Sequence, residues 1–291
     1  GYVYDCKAIE EKKSNEQKAT EFEAACGDMF NLKVLYKRLN MSLMPCAERV
    51  AQLKSIVSFD LLSAEELKMQ VAGLYKHSEK VQIDEKNMLT WLILNNISIA
   101  EAPTLPIQYN KGNAIKAASE IAAMANARTL TIETIKESLN KYGILYIEVP
   151  KLDKAPIDAF STMADAHPVI TVTYRYNDMD KLVFDVLHEL CHIDRHLTKE
   201  QTAFISVDDG SYATDPREKE ANEFARQTLI PDTVWGDIMK VGCKSLSPFK
   251  IVKTIAITAE SKGISPSIAV ARYKHDTNWY NTSAYRSPKI S

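Results

Sequence analysis

Five consecutive residues, His188-Glu189-Leu190-Cys191-His192, have the types and spacing for metal-dependent hydrolysis. On a helix, residues four apart project about 40° from one another, so His188 and His192 share a face and can bind one tetrahedral Zn²⁺ per chain. Glu189 lies about 100° further round, a poor place for a ligand but a good one for a base that takes a proton from water. The flanking positions Leu182, Val183, Phe184, Val186, Leu187 and Leu190 are apolar, which predicts a buried helix. Two histidines and a glutamate on such a helix need polar partners, and a metal supplies one.

A third ligand is required. His196 also falls near the His188 face, but the longer pattern with a third histidine eleven residues after the first would need one at 198, where Thr198 stands. The stretch Asp215-Pro216-Arg217-Glu218-Lys219-Glu220-Ala221-Asn222-Glu223-Phe224-Ala225 offers three glutamates instead. Glu218 shares a helix face with Ala221, Asn222, Ala225 and Leu229, the side expected to pack inward. Glu220 and Glu223 fall opposite, with Lys219 and Gln227, and are expected to face water. Glu218 is therefore the expected ligand, with Asn222, one turn on, as a hydrogen-bond partner of a ligand histidine. The competing reading is a helix cap, because Asp215 and Glu218 also have capping-box spacing. Two histidines and one glutamate leave a fourth position open for water, the catalytic type of zinc site. Tyr174 and Tyr212 are candidate oxyanion stabilisers on polarity and loop position alone, as are Arg175 and Tyr176. Cys191 reads as a small buried apolar residue.

The elements that must position these groups are mostly helical. Residues 5–58 and 60–101 read as helices, the second opening on the capping pattern Ser63-Ala64-Glu65-Glu66. Prolines at 103 and 106 and the Lys111-Gly112-Asn113 turn mark a boundary. An Ala-rich helix follows over 114–127 and another over 131–142, closed by Gly143. Ile144–Val149 and Val169–Tyr174 read as strands; if the second forms an exposed edge, it could hold a substrate chain as an added strand. A helix over 181–197 carries the motif, 198–214 reads as a loop, and Asp215-Pro216 opens the helix bearing Glu218. Two helices split at Gly263 complete the chain. The expected organisation is a helical region over 1–110 with an adaptor role, a peptidase domain over 111–240 and a C-terminal helical extension over 241–291.

Bulk composition excludes several classes. Of 291 residues, 36 are Lys or Arg and 38 Asp or Glu, so the net charge of -2 gives no overall basic attraction for nucleic acid. No run of 18 apolar residues suggests a membrane span. The five cysteines are widely spaced, with no C-x-x-C pair, which argues against a disulfide framework or a cysteine-rich zinc module and for a reducing, cytoplasmic setting.

Together, Tyr142-Gly143-Ile144-Leu145-Tyr146-Ile147, Pro168–Thr173, Phe184–His192 and Glu218–Ala225 with Pro231 resemble the ImmA/IrrE peptidase family, in that family's order. The resemblance covers about 114–235, and 259–272 is similar to the C-terminal part of longer members. It implies an α+β architecture: a helical N-terminal region, a minimal thermolysin-like zincin domain with a small sheet, and C-terminal helices. It also implies His188, His192 and Glu218 as zinc ligands and Glu189 as the base. The implied substrate is a protein regulator, a DNA-binding repressor or antitoxin-like partner, in transcriptional or stress control. Longer members carry an N-terminal helix-turn-helix, and this chain, which begins Gly1-Tyr2 without a methionine, is expected to start downstream of one. Cys191 departs from the family, which usually has Gly there. Two other readings remain open: a non-catalytic regulator that uses the fold as a sensor or binding domain, and a motif that holds no metal.

Overall fold

The computed structural model describes residues 2–56, 83–198, 203–207, 215–242 and 247–290; the capping pattern at Ser63–Glu66 and Tyr212 lie outside them. The chain divides into two units, Gly1–Glu101 with Lys151–Pro156, and Ala102–Pro150 with Ile157–Ser291.

The first unit is helical. It contains α1 (Tyr2–Met29), α2 (Leu32–Arg38), a helical run over 46–56 and α3 (Glu85–Ala100). Trp91, Leu92, Met88, Leu35, Met41 and Leu53 form its buried apolar interior. The short segment 151–156 joins this unit because backbone groups there close on α3: the Asp84 N–H donates to the Lys154 carbonyl at 2.9 Å and Asn87 Nδ2 to the Asp153 carbonyl at 2.8 Å.

The second unit holds the motif. Its helices are α4 (Asn113–Ala127), α5 (Ile132–Lys141), α6 (Met179–Cys191), α7 (Pro216–Leu229), α8 (Asp232–Gly242), α9 (Pro248–Ser261) and α10 (Pro266–Thr277). Four strands, β1 (Leu145–Glu148), β2 (Ile157–Ala164), β3 (His167–Val172) and β4 (Ala203–Val207), form one sheet in the order β1-β3-β2-β4. β1 runs parallel to β3, and β2 is antiparallel to both β3 and β4. This mixture of helices and a small mixed sheet is α+β.

β3 is central, with all six residues buried. The condition for substrate pairing on this strand, an exposed edge, is therefore not met: its unbroken run of apolar and β-branched side chains suits a strand covered on both faces. The edges are β1 and β4. Strands β2 and β4 are additions to the two expected from sequence. β2 mixes Asp158, Ser161 and Thr162 with its apolar residues, which blurs the alternation that marks a strand. β4 is five residues in a stretch that reads as loop.

The division also differs from the expected split at 110 and 240. The first unit ends at Glu101, and α9 and α10 are not a separate extension. Ile255, Ala256, Ala259, Ile268 and Val270 are buried in the same core as Val183, Val186, Leu187 and Leu190 of α6. Arg272 ties α10 back by donating to the Ile230 carbonyl at 2.6 Å and pairing with Asp232 at 2.7 Å.

Helix α6 is firmly held at its N-terminus. Asp178 caps it by accepting from the Lys181 N–H. The C-terminal tail satisfies two more of its free N–H groups, Met179 to the Pro288 carbonyl at 2.9 Å and Asp180 to Ser287 Oγ at 2.8 Å. The small residues Ala114, Ala117, Ala118 and Ala122 of α4 are buried in the core beside it and let the two helices approach closely.

Gly143 is needed where α5 turns into β1. Its φ is +75°, and a Cβ there would lie 2.7 Å from the Tyr109 nitrogen and 2.9 Å from the Ile107 carbonyl oxygen. Gly263 has the same φ but open space around it. Gly143→Ala is expected to cost about 2–4 kcal/mol, strain plus a backbone clash, and Gly263→Ala only about 1 kcal/mol. Urea denaturation of the two variants checks this; equal losses would show that the close approach at Gly143 is not limiting.

Candidate metal centre

His188 and His192 lie at the C-terminal end of α6 and just beyond it. α6 stops at Cys191, and His192–His196 continue as a single π-turn, closed by the Leu197 N–H on the His192 carbonyl at 2.8 Å. The expected uninterrupted α-helix to 197 is thus corrected to an α-helix followed by a wider turn. Such turns recur at functional sites, because the extra residue per turn re-aims side chains.

The two histidines meet at their Nε2 atoms, 2.9 Å apart. Glu218, at the start of α7, completes the group: its carboxylate oxygens lie 3.1 Å from His188 Nε2 and 3.3 Å from His192 Nε2. Among the described residues these three form the one cluster able to hold a metal ion. A tetrahedral site with arms of about 2.0–2.1 Å has edges of about 3.3 Å, so the donor spacing fits Zn²⁺ with little adjustment. Glu218 is half-buried and the histidines are buried, His192 completely.

The chemistry of the donors fits as well. His188 Nδ1 lies 2.9 Å from Asn222 Oδ1. An amide oxygen only accepts, so Nδ1 carries a proton and Nε2 is the nitrogen that faces Glu218 and His192, where it can offer a lone pair to a metal. Burial holds the His192 pKa down to about 4, Glu218 opposing and the neighbouring His188 reinforcing, so its ring is neutral at pH 7. For His188 burial acts the same way, but the hydrogen bond to Glu218 and the charges of Glu189 and Glu218 outweigh it and raise the pKa. Burial would raise Glu218, yet its hydrogen bonds to the two imidazoles win and hold it far below the usual carboxylate range, so it is ionised. Two imidazoles and an anionic carboxylate are a borderline-hard donor set suited to a divalent cation.

Glu218 and Asn222 sit one turn apart on the face of α7 that also buries Ala221 and Ala225. The capping role is filled without Glu218: Asp215 caps α7 by accepting from the Arg217 N–H at 2.8 Å. Glu189 is completely buried on α6. Phe204 of β4 stacks on His192, centroids 4.2 Å apart and planes 19° from parallel. Cys191 is fully buried, and burial pushes its thiol up to about 12, so it is a protonated packing residue.

Tyr174 is not brought to this cluster. Its hydroxyl is 2.8 Å from that of Tyr146, on the edge strand β1, whereas His192 lies against β4 at the opposite edge. Arg175 pairs with Asp158 at 3.3 Å. Two groups that sequence reasoning leaves out do belong to the site. His196 is buried, with Nδ1 2.9 Å from His192 Nδ1, and Glu220 reaches back to His196 Nε2 at 3.1 Å and to Arg195 at 2.7 Å. Their signal is the i, i+4, i+8 histidine series; the π-turn that makes it meet Glu220 leaves no mark in the sequence.

Glu218→Ala is expected to weaken zinc binding at least about 100-fold, and Asn222→Ala about 10–100-fold through a misoriented His188. Competition against a chromophoric chelator measures both. Unchanged affinity in Glu218→Ala would remove it from the donor set.

Comparison with curated proteins finds no match. Residues 139–247, which span both histidines, Glu189 and Glu218, match the model of the M78 peptidases, described as an IrrE N-terminal-like domain. That match supports an ImmA/IrrE-type family assignment for this segment.

Proposed function

We propose that the chain is a zinc-dependent metallopeptidase acting on a protein substrate. The observation that carries the proposal is the convergence of His188 Nε2, His192 Nε2 and Glu218 within one small donor cluster, next in sequence to a buried Glu189. The match to a peptidase family supports the reaction class.

Zn²⁺ held by these three residues would polarise a peptide carbonyl and bring the pKa of water toward about 7. Glu189 accepts the proton of the attacking water as the C–O bond forms, then gives it to the leaving amine as the C–N bond breaks. Asn222 keeps the His188 Nε2 lone pair on the site. Phe204 keeps the His192 ring from turning and shields it from water. Strand β4 is a sheet edge beside His192, and an extended peptide adding to that edge would gain main-chain hydrogen bonds.

The substrate proposed is a regulator, a DNA-binding repressor or antitoxin-like partner, in transcriptional or stress control; the resemblance of the four motifs supports this. No helix among the described residues is long and apolar enough to cross a membrane, which suits a partner reached from solution.

Glu189→Gln tests the reading. The zinc-loaded variant is expected to bind zinc within a few-fold of wild type and to lose about 10²–10⁴ in cleavage rate. New termini appearing in a peptide library, read by mass spectrometry, give the measurement. Cleavage by Glu189→Gln at the wild-type rate would sink the hydrolytic role.

A further inference from the structure

We infer that Glu220 and His196 form a relay that sets the tautomer of His192, so that a residue pair outside the donor set decides whether the second histidine can bind metal. The inference rests on the metal reading above and extends it to the positioning of one ligand.

Proton accounting carries the argument. Glu220 Oε2 lies 3.1 Å from His196 Nε2, and Arg195 holds the other carboxylate oxygen at 2.7 Å. An ionised carboxylate only accepts, so His196 Nε2 carries the proton. In a neutral imidazole the other nitrogen then has a lone pair. His196 Nδ1 turns that lone pair toward His192 Nδ1, 2.9 Å away. His192 Nδ1 must therefore be the donor, and His192 Nε2 is left with its lone pair facing His188 and Glu218.

The opposite arrangement is unfavourable at the Glu220 end and blocks a metal at the other. With the His196 proton on Nδ1, a lone pair would face the Glu220 carboxylate. His192 Nδ1 would then accept, and its Nε2 would carry a hydrogen into the space a cation would fill. Stacking on Phe204 holds the His192 ring in the plane that keeps both of its contacts. Histidine ligands usually donate their second N–H directly to a carboxylate or carbonyl. Here the carboxylate is reached through a second imidazole carried on the π-turn, its ring centroid 4.9 Å from that of His192.

Three variants and one spectrum test the relay. His196→Leu fills the space without an acceptor. His196→Asn puts an amide oxygen near the place of Nδ1. Glu220→Gln can donate to His196 Nε2 and so invert the relay. Affinity for Zn²⁺ is measured by chelator competition, the Co²⁺ absorption spectrum reports ligand geometry, and Tm reports folding. His196→Leu is expected to bind zinc about 10–100-fold more weakly, Glu220→Gln several-fold more weakly, and His196→Asn within about three-fold of wild type. A purely structural role for His196 would lower Tm without separating Leu from Asn in zinc affinity, and that result overturns the relay. For metal-free wild type, ¹⁵N–¹H correlation of the imidazole nitrogens is expected to show His192 with its proton on Nδ1. The Nε2 tautomer there overturns the relay even if every variant misfolds. No zinc uptake by wild type would overturn the metal reading itself and the relay with it, whereas wild-type uptake with unchanged His196→Leu affinity overturns the relay alone.

Discussion

A helix that must be buried carries groups that resist burial, and most of the second unit answers that conflict. Leu182, Val183, Val186, Leu187 and Leu190 place α6 in the core. The same helix and its extension bring His188, Glu189, His192 and His196 out of water. Unpartnered, each would cost on the order of 1–3 kcal/mol, and more where charged. The partners come chiefly from α7, where Glu218 and Asn222 stand one turn apart and Glu220 lies between them on a different face. Ala221 and Ala225, both fully buried, let α7 come close enough for these side chains to reach. The α6–α7 contact is thus both core packing and the frame of the donor cluster.

The two ends of α6 are treated differently. At the N-terminus a side-chain cap and the chain's own tail take up the free N–H groups, which fixes the helix in place. At the C-terminus the α-pattern gives way to a π-turn. A helix anchored at one end and re-wound at the other holds His188 on rigid α geometry while the wider turn carries His192 and His196. Rigid elements hold catalytic groups more accurately than loops do, and here all three donors sit on or directly beside helices.

Much of this is legible in the sequence, for definite reasons. The i, i+4 histidines and the apolar flank of α6 follow helical periodicity, which neighbours in space do not alter. Glu218 can be chosen over Glu223 because the face bearing Ala221, Ala225 and Leu229 is the buried one. What escapes depends on long-range contact. Glu220 reads as solvent-facing and is indeed half-exposed, but its carboxylate turns back to His196. β3 reads as a strand either way; its central place follows only from the pairing of β2, whose polar residues hide its period. The extent of the second unit is hidden because α9 and α10 have the pattern of any amphipathic pair, and their burial against α6 is a tertiary fact.

Charge balance draws these elements together. Two carboxyl groups, Glu189 and Glu218, lie with His188 and His192 at the end of one buried helix, and His192 is neutral at pH 7. Glu220 has its own counter-ion in Arg195, and Lys181 serves Asp158 and Asp185 one to two turns before His188. Glu218 faces His188 and His192, which are charged only when protonated. Protonating them would supply positive charge, but burial prevents it at His192, and at His188 it is favoured only because the hydrogen bond to Glu218 and the neighbouring carboxylates outweigh burial. A divalent cation meets the same demand without a desolvated imidazolium, uses lone pairs that Asn222 and the His196–Glu220 pair already direct inward, and matches the spacing of the three donors. The arrangement that makes burial of these groups tolerable is therefore also the one that favours a dication.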